Sequence, residues 1–104
     1  MLKLIYFVPQ SHLEETKTAL FKAGAGTMGE YEHCAWQVKG LGQFKPKSNA
    51  QPFLGKVDQL THVEEWRVEI IVPDHLAKQV LTVLQASHPY EEPAFEFIQL
   101  LEIN

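Results

Sequence analysis

Late in the chain, His88-Pro89-Tyr90-Glu91-Glu92-Pro93 packs an imidazole, a phenol and two carboxylates between two prolines that stiffen the backbone. Three readings are open for this segment. It can bind a divalent cation through His88 and a carboxylate, pair an acid with a base, or simply turn a helix into a strand. A metal ion would need three or four ligands, and His33, His88 and Glu92 form a candidate set only if the fold makes them meet. Hydrolysis with His33 or His88 as base suffers because no nucleophile, base and orienting group can be lined up.

Tyr90 has possible aromatic companions in Phe44 and Phe53, which lie in a stretch rich in Gly and Pro. Apolar walls with a few polar groups characterise a small-molecule or peptide site. The candidate ligand-binding set is therefore Phe44, Phe53, His88, Tyr90, Glu91 and Glu92, with no catalytic residue assigned. The Gly40 to Gly55 loop and the His88 to Pro93 turn are expected to lie side by side.

Other residues support structure better than chemistry. Gly24, Gly26 and Gly29 follow a helix and precede a strand, the reverse of the order a phosphate-cradling loop uses. Cys34 shares an alternating face with Trp36 and Val38, where a free thiol behaves as a small hydrophobe. His12, His62 and His75 read as surface residues.

The elements that must position these groups follow from periodicity. Leu2 to Val8 is a β-rich run ended by Pro9. Ser11 and Glu14 have capping-box spacing, and Leu13, Lys17, Leu20 and Ala23 recur at helical intervals, predicting a helix from Ser11 to Ala23. Tyr31 to Lys39 alternates as a half-buried second strand, and Gly40 to Lys56 reads as a long irregular connection. Glu65 to Val72 alternates charged with apolar residues, giving strand three. Asp74 suits an N-cap for a second helix with Leu76, Ala77, Val80, Val83 and Leu84 on one stripe, which Pro89 must end. Ala94 to Ile103 is the last strand.

The order βαββαβ predicts an α+β domain over residues 1 to 104, a ferredoxin-like four-stranded antiparallel sheet with two helices on one face. The other face would carry Glu65, Arg67 and Glu69 beside Ile71 and aromatic residues from strands one and four. That surface is too apolar to face solvent alone, so a homo-oligomer or a protein partner is expected.

Composition narrows the classes. A net charge of -4 over 104 residues, with no basic cluster, speaks against nucleic acid and anionic membrane as partners. The longest apolar runs fall well short of the ~20 residues that span a bilayer. One cysteine and no secretory signal pattern predict a cytoplasmic protein.

Gly24 to Cys34, Gly40-Leu41-Gly42-Gln43-Phe44-Lys45-Pro46, Pro52-Phe53-Leu54-Gly55 and His88 to Ala94 together resemble the domain inserted in the Ngg-one-interacting-factor-three-like (YqfO-type) proteins. The His-Pro-Tyr-Glu element alone is also similar to the CutA family. Both resemblances imply a PII-like ferredoxin fold. They imply no ligand set, because the family's dinuclear metal site and presumed hydrolase chemistry lie in flanking domains. Asn49 stands where the family's loop often has Gly, a position at which Asn tolerates a left-handed backbone.

The reading favoured is a binding or regulatory module without its own catalysis, taking a small ligand, a metal ion or a protein partner. The alternatives are a small metal-dependent hydrolase and a detached lid of a hydrolase-like enzyme.

Overall fold

In a computed structural model that describes residues 1–103, strand β1 (Leu2–Pro9) is followed by a 3-10 turn (Gln10–His12) and helix α1 (Leu13–Lys22). Strands β2 (Trp36–Phe44) and β3 (Thr61–Val72) form a long hairpin. A second 3-10 turn (Asp74–Leu76), helix α2 (Ala77–Ser87) and strand β4 (Phe95–Gln99) complete the order. The sheet runs β2-β3-β1-β4 with every pair antiparallel, the ferredoxin-like arrangement expected from the sequence.

Alternation along the two central strands sends Leu4, Tyr6, Val8, Val68, Ile70 and Val72 to one face, where Leu13 and Leu20 of α1 and Val80 and Leu84 of α2 cover them. All are essentially buried. At ~25 cal/mol per Å² of apolar area, this layer supplies the main force holding helices to sheet. Tyr6 adds a polar atom to it, satisfied internally: its hydroxyl meets Thr16 Oγ1 at 2.9 Å, and Thr16 in turn donates to a carbonyl of the preceding turn, His12 O at 2.9 Å or Leu13 O at 3.0 Å. Burial pushes the Tyr6 phenol up to about 12.

The opposite face carries Lys3, Ile5, Phe7, Val38, Arg67 and Glu69, by register. Ile5 is only 4% exposed even here, beneath the Lys3–Glu69 ion pair at 3.2 Å. That lysine, through its hydrogen bond, holds the Glu69 carboxyl below its ordinary range. Strand four does not bring aromatics to this face as expected. Phe95 and Phe97 pair with Tyr6 and Leu4 and pack on the core, while Ile98 turns outward. The aromatic from the edge is instead Trp36, beside Glu69.

Several boundaries differ from the sequence reading for physical reasons. Strand β2 begins at Trp36, not Tyr31, because His33 has a left-handed φ of 59° and Cys34 N–H is drawn to Gly26 O at 2.8 Å. A Cβ at Gly26 would collide with Cys34 O and the Phe21 ring. Cys34 therefore lies outside the strand and shares no strand face with Trp36 and Val38, which are exposed. Gly40 to Phe44 belong to β2 despite their glycines, pairing with Thr61 to Glu65, so the irregular connection shortens to residues 45–60 and β3 lengthens. Strand β4 stops at Gln99, opposite Leu2, where β1 itself begins; beyond it a single backbone bond, Leu100 N–H to Met1 O at 3.1 Å, closes the pairing.

Neither expected N-cap forms. Ser11 Oγ bonds His12 Nδ1 at 2.8 Å, and neither helix has a side-chain cap because a 3-10 turn precedes each. Asn49 keeps an ordinary φ; among the described residues the left-handed non-glycines are His33 and Asp58.

Candidate functional site

Pro89 sets up the site. It disfavours helical geometry in the residue before it, and His88 accordingly leaves α2 in extended backbone (φ -82°, ψ 138°). The ring of His88 turns inward, 6% exposed, where Nε2 lies 2.6 Å from Phe7 O and Nδ1 accepts Tyr90 N–H at 3.1 Å. Burial lowers the imidazole's pKa below the ordinary histidine value; the bond to the Phe7 carbonyl opposes this, and His12 adds weakly to it.

Tyr90 then forms one wall of a cavity of about 720 Å³ at the end of the sheet where β1 exits. Phe44 at the end of β2 and Phe53 in the 45–60 loop complete the aromatic lining, their ring centroids 6.2 and 6.4 Å from that of Tyr90. The expected juxtaposition of long loop and turn is present. Glu91 Oε1 accepts Gln51 N–H at 3.2 Å across the gap, and His12 braces Phe53 edge-on from outside at 5.5 Å.

The floor comes from the open sheet face, where Phe7 and Glu65 line the cavity. Sequence reasoning missed both. Alternation placed Glu65 on that face, yet only the strand order brings the face to the loop. Gly42 also has a role, since a Cβ there would overlap the Glu65 side chain. Tyr90 Oη is buried without a hydrogen bond of good geometry, although the Glu65 carboxylate lies beside it. Burial, then the Glu65 carboxylate, push this phenol well above its ordinary range.

Of the six candidate ligand residues, Phe44, Phe53, Tyr90, Glu91 and Glu92 line the cavity. His88 does not; it stands behind Tyr90, at 4.9 Å between rings. The candidate metal set is not assembled. His33 stacks on Phe21 at 4.8 Å, both His88 nitrogens are engaged, and among the described residues no three His, Cys, Asp or Glu side chains group to hold an ion.

Ser11, His12 and Glu15 superficially resemble nucleophile, base and orienting acid. The 3.8 Å between His12 Nε2 and Glu15 is too long for a hydrogen bond, so the acid does not orient the ring that Ser11 and Phe53 hold from other sides.

No model of a known protein family matches the chain. A GTP cyclohydrolase 1 type 2 homolog from Mycobacterium leprae is 42% identical over 99 residues, covering 95% of this chain and 26% of that protein. A Bacillus cereus protein described as related to NIF3 has a TM-score of 0.82 at 39% identity, over 95% of this chain and 25% of the other. CutA1 from Pyrococcus horikoshii has a TM-score of 0.73 at 15% identity over 100% of this chain and 87% of its own, a likeness of fold alone. The chain spans about a quarter of the length of the curated relatives it matches.

Proposed function

The chain is a homologue of one segment of the NIF3-like (YqfO-type) proteins, and on that premise we propose that it is a small binding module whose ligand enters the Phe44–Phe53–Tyr90 cleft. The observation that carries this reading is the cavity of about 720 Å³, lined by aromatics from four separate segments together with Glu65, Glu91 and Glu92. Its size falls in the range usual for small-molecule sites, and its mix of apolar wall and few polar groups fits a compact organic ligand or a peptide side chain. In its relatives this segment is a quarter of a longer protein, so the module would report or relay ligand binding to whatever chemistry lies beside it. The relatives' cyclohydrolase name describes those proteins, and the role proposed for this segment is binding.

The same reading covers the open sheet face with a second copy. Trp36 at 58% exposure, Val38 and Ile98 leave apolar surface there, bordered by the unpaired edges of β2 and β4. We place the module in the cytoplasm, where a lone thiol such as Cys34 stays reduced. No helix among the described residues is long and apolar enough to cross a membrane.

The test is an amide NMR titration with a fixed panel of probes: free aromatic amino acids, nucleoside monophosphates, and a short proline-rich peptide. At least one should move the Phe44, Phe53 and Glu91 signals, and Phe53→Ala should weaken it about tenfold or more. A panel that leaves the cleft signals untouched at millimolar concentration, or moves only the open sheet face, would count against the proposal.

A further inference from the structure

We infer that His88 is the positioning residue of this cleft: as a neutral imidazole with its proton on Nε2, it ties the end of β1 to the Tyr90 wall and holds the cleft in shape. The inference rests on the cleft being the binding site proposed above, and it assigns His88 a part that contacts no ligand.

The two hydrogen bonds fix the tautomer. A carbonyl only accepts, so Nε2, 2.6 Å from Phe7 O, must carry a hydrogen. An amide N–H only donates, so Nδ1, 3.1 Å from Tyr90 N, must be bare. The residues at the two ends of this bridge are the floor, Phe7, and the wall, Tyr90. One ring thus couples strand β1 to the turn, and neither end can move without breaking a bond to it.

A second proton would go to Nδ1 and set N–H against N–H. Of the groups around the ring only the Phe7 carbonyl favours the cation, and burial outweighs it; Tyr6 from β1 at 6.4 Å and Tyr90 in the turn at 4.9 Å carry no negative charge to offset a second proton, and His12 from the turn before α1 opposes it. The direction of the His88 shift agrees with this geometry, since the folded state resists protonation. Tyr90 must therefore release from the ring as acid enters the site, and Phe53 and Gln51, which touch Tyr90 and Glu91, must follow.

The experiment uses the whole chain without ligand. Long-range proton–nitrogen NMR at pH 7 should show His88 protonated on Nε2. On titration from pH 7.5 to 4.5, the amide signals of Tyr90, Phe53 and Gln51 should move with one shared midpoint, below that of an ordinary histidine. Two variants separate the bonds. His88→Gln retains a donor for Phe7 O and cannot titrate, so the shared step should vanish and Tyr90 amide exchange quicken at least about fivefold. His88→Asn retains an acceptor for the N–H two residues on, so Tyr90 protection should largely persist. A proton on Nδ1 in the native protein would overturn the inference without recourse to any variant. So would an unchanged acid step in His88→Gln, which would assign it to Glu65, Glu91 or Glu92. Because no ligand is present, a failure here is distinct from a failure of the probe titration.

Discussion

The carboxylate of Glu91 accepts a hydrogen bond from the backbone N–H of Gln51, a residue 40 positions earlier. This contact joins the turn after α2 to the loop between β2 and β3. Glu91→Ala should leave global stability within about 1 kcal/mol, because the bond is exposed, while amide exchange at Gln51 accelerates. A loss of several kcal/mol in urea unfolding would show that the loop is held as core rather than as a cleft wall.

Tyr90 presents a different case. Its hydroxyl is buried without a hydrogen bond of good geometry, so Tyr90→Phe should be neutral or stabilising by up to about 1 kcal/mol, whereas removing a satisfied buried hydroxyl costs about 1 to 3 kcal/mol. Chemical denaturation of the two proteins decides between these. A clear loss of stability in the variant would mean that Glu65 accepts a hydrogen bond from the phenol.

Alkaline stability follows from the same chemistry. Tyr6 ionises at about 12 in the folded protein, pushed up first by burial, against about 10 in an unfolded chain. A raised acid of this kind contributes stability that is whole below about pH 10 and is lost as pH climbs toward 12, since the unfolded state gives up its proton first. Tyr90 acts in the same direction. Melting temperature should hold steady from pH 7 to 9.5 and fall above 10, and Tyr6→Phe should flatten that fall. An unchanged alkaline limb in Tyr6→Phe would contradict this assignment.

Self-association is expected through the sheet face that the helices leave open. Light scattering at micromolar concentration should give a mass above the 11.9 kDa of one chain. Trp36→Glu, on that face beside Glu69, should lower the mass, and Lys78→Glu on the solvent side of α2 should not. A monomer mass in the native protein, or equal effects of the two changes, would refute the proposal.

The element order and the core were legible because both rest on local alternation: Leu4, Tyr6 and Val8 against Val68, Ile70 and Val72 announce a buried face in any register. Boundaries were not legible where backbone conformation overrode propensity. His33 carries an ordinary side chain in a left-handed turn, held by stacking on Phe21 and by the Cys34–Gly26 bond. Gly40 and Gly42 read as loop residues, yet cross-strand pairing with Glu65 and Val63 keeps them in β2. The aromatic side of the cleft was foreseeable from proline-flanked Tyr90 and Phe53, while its floor depended on β3 lying next to β1. His88 was visible as a candidate, but its inward turn depends on the position of Phe7 O, which no spacing in the sequence encodes.

The loop from Lys45 to Leu60 contributes Pro46 to the buried set and little else, whereas β1 is bonded on both sides along most of its length. Local opening costs least where few apolar contacts and exposed hydrogen bonds resist it. The loop should therefore swing away from Tyr90 many times for each global unfolding event, leaving the sheet intact. On the binding reading proposed above, a ligand would leave at the rate of the loop's own opening, a hinged flap on a rigid frame, rather than at one set by the stability of the domain.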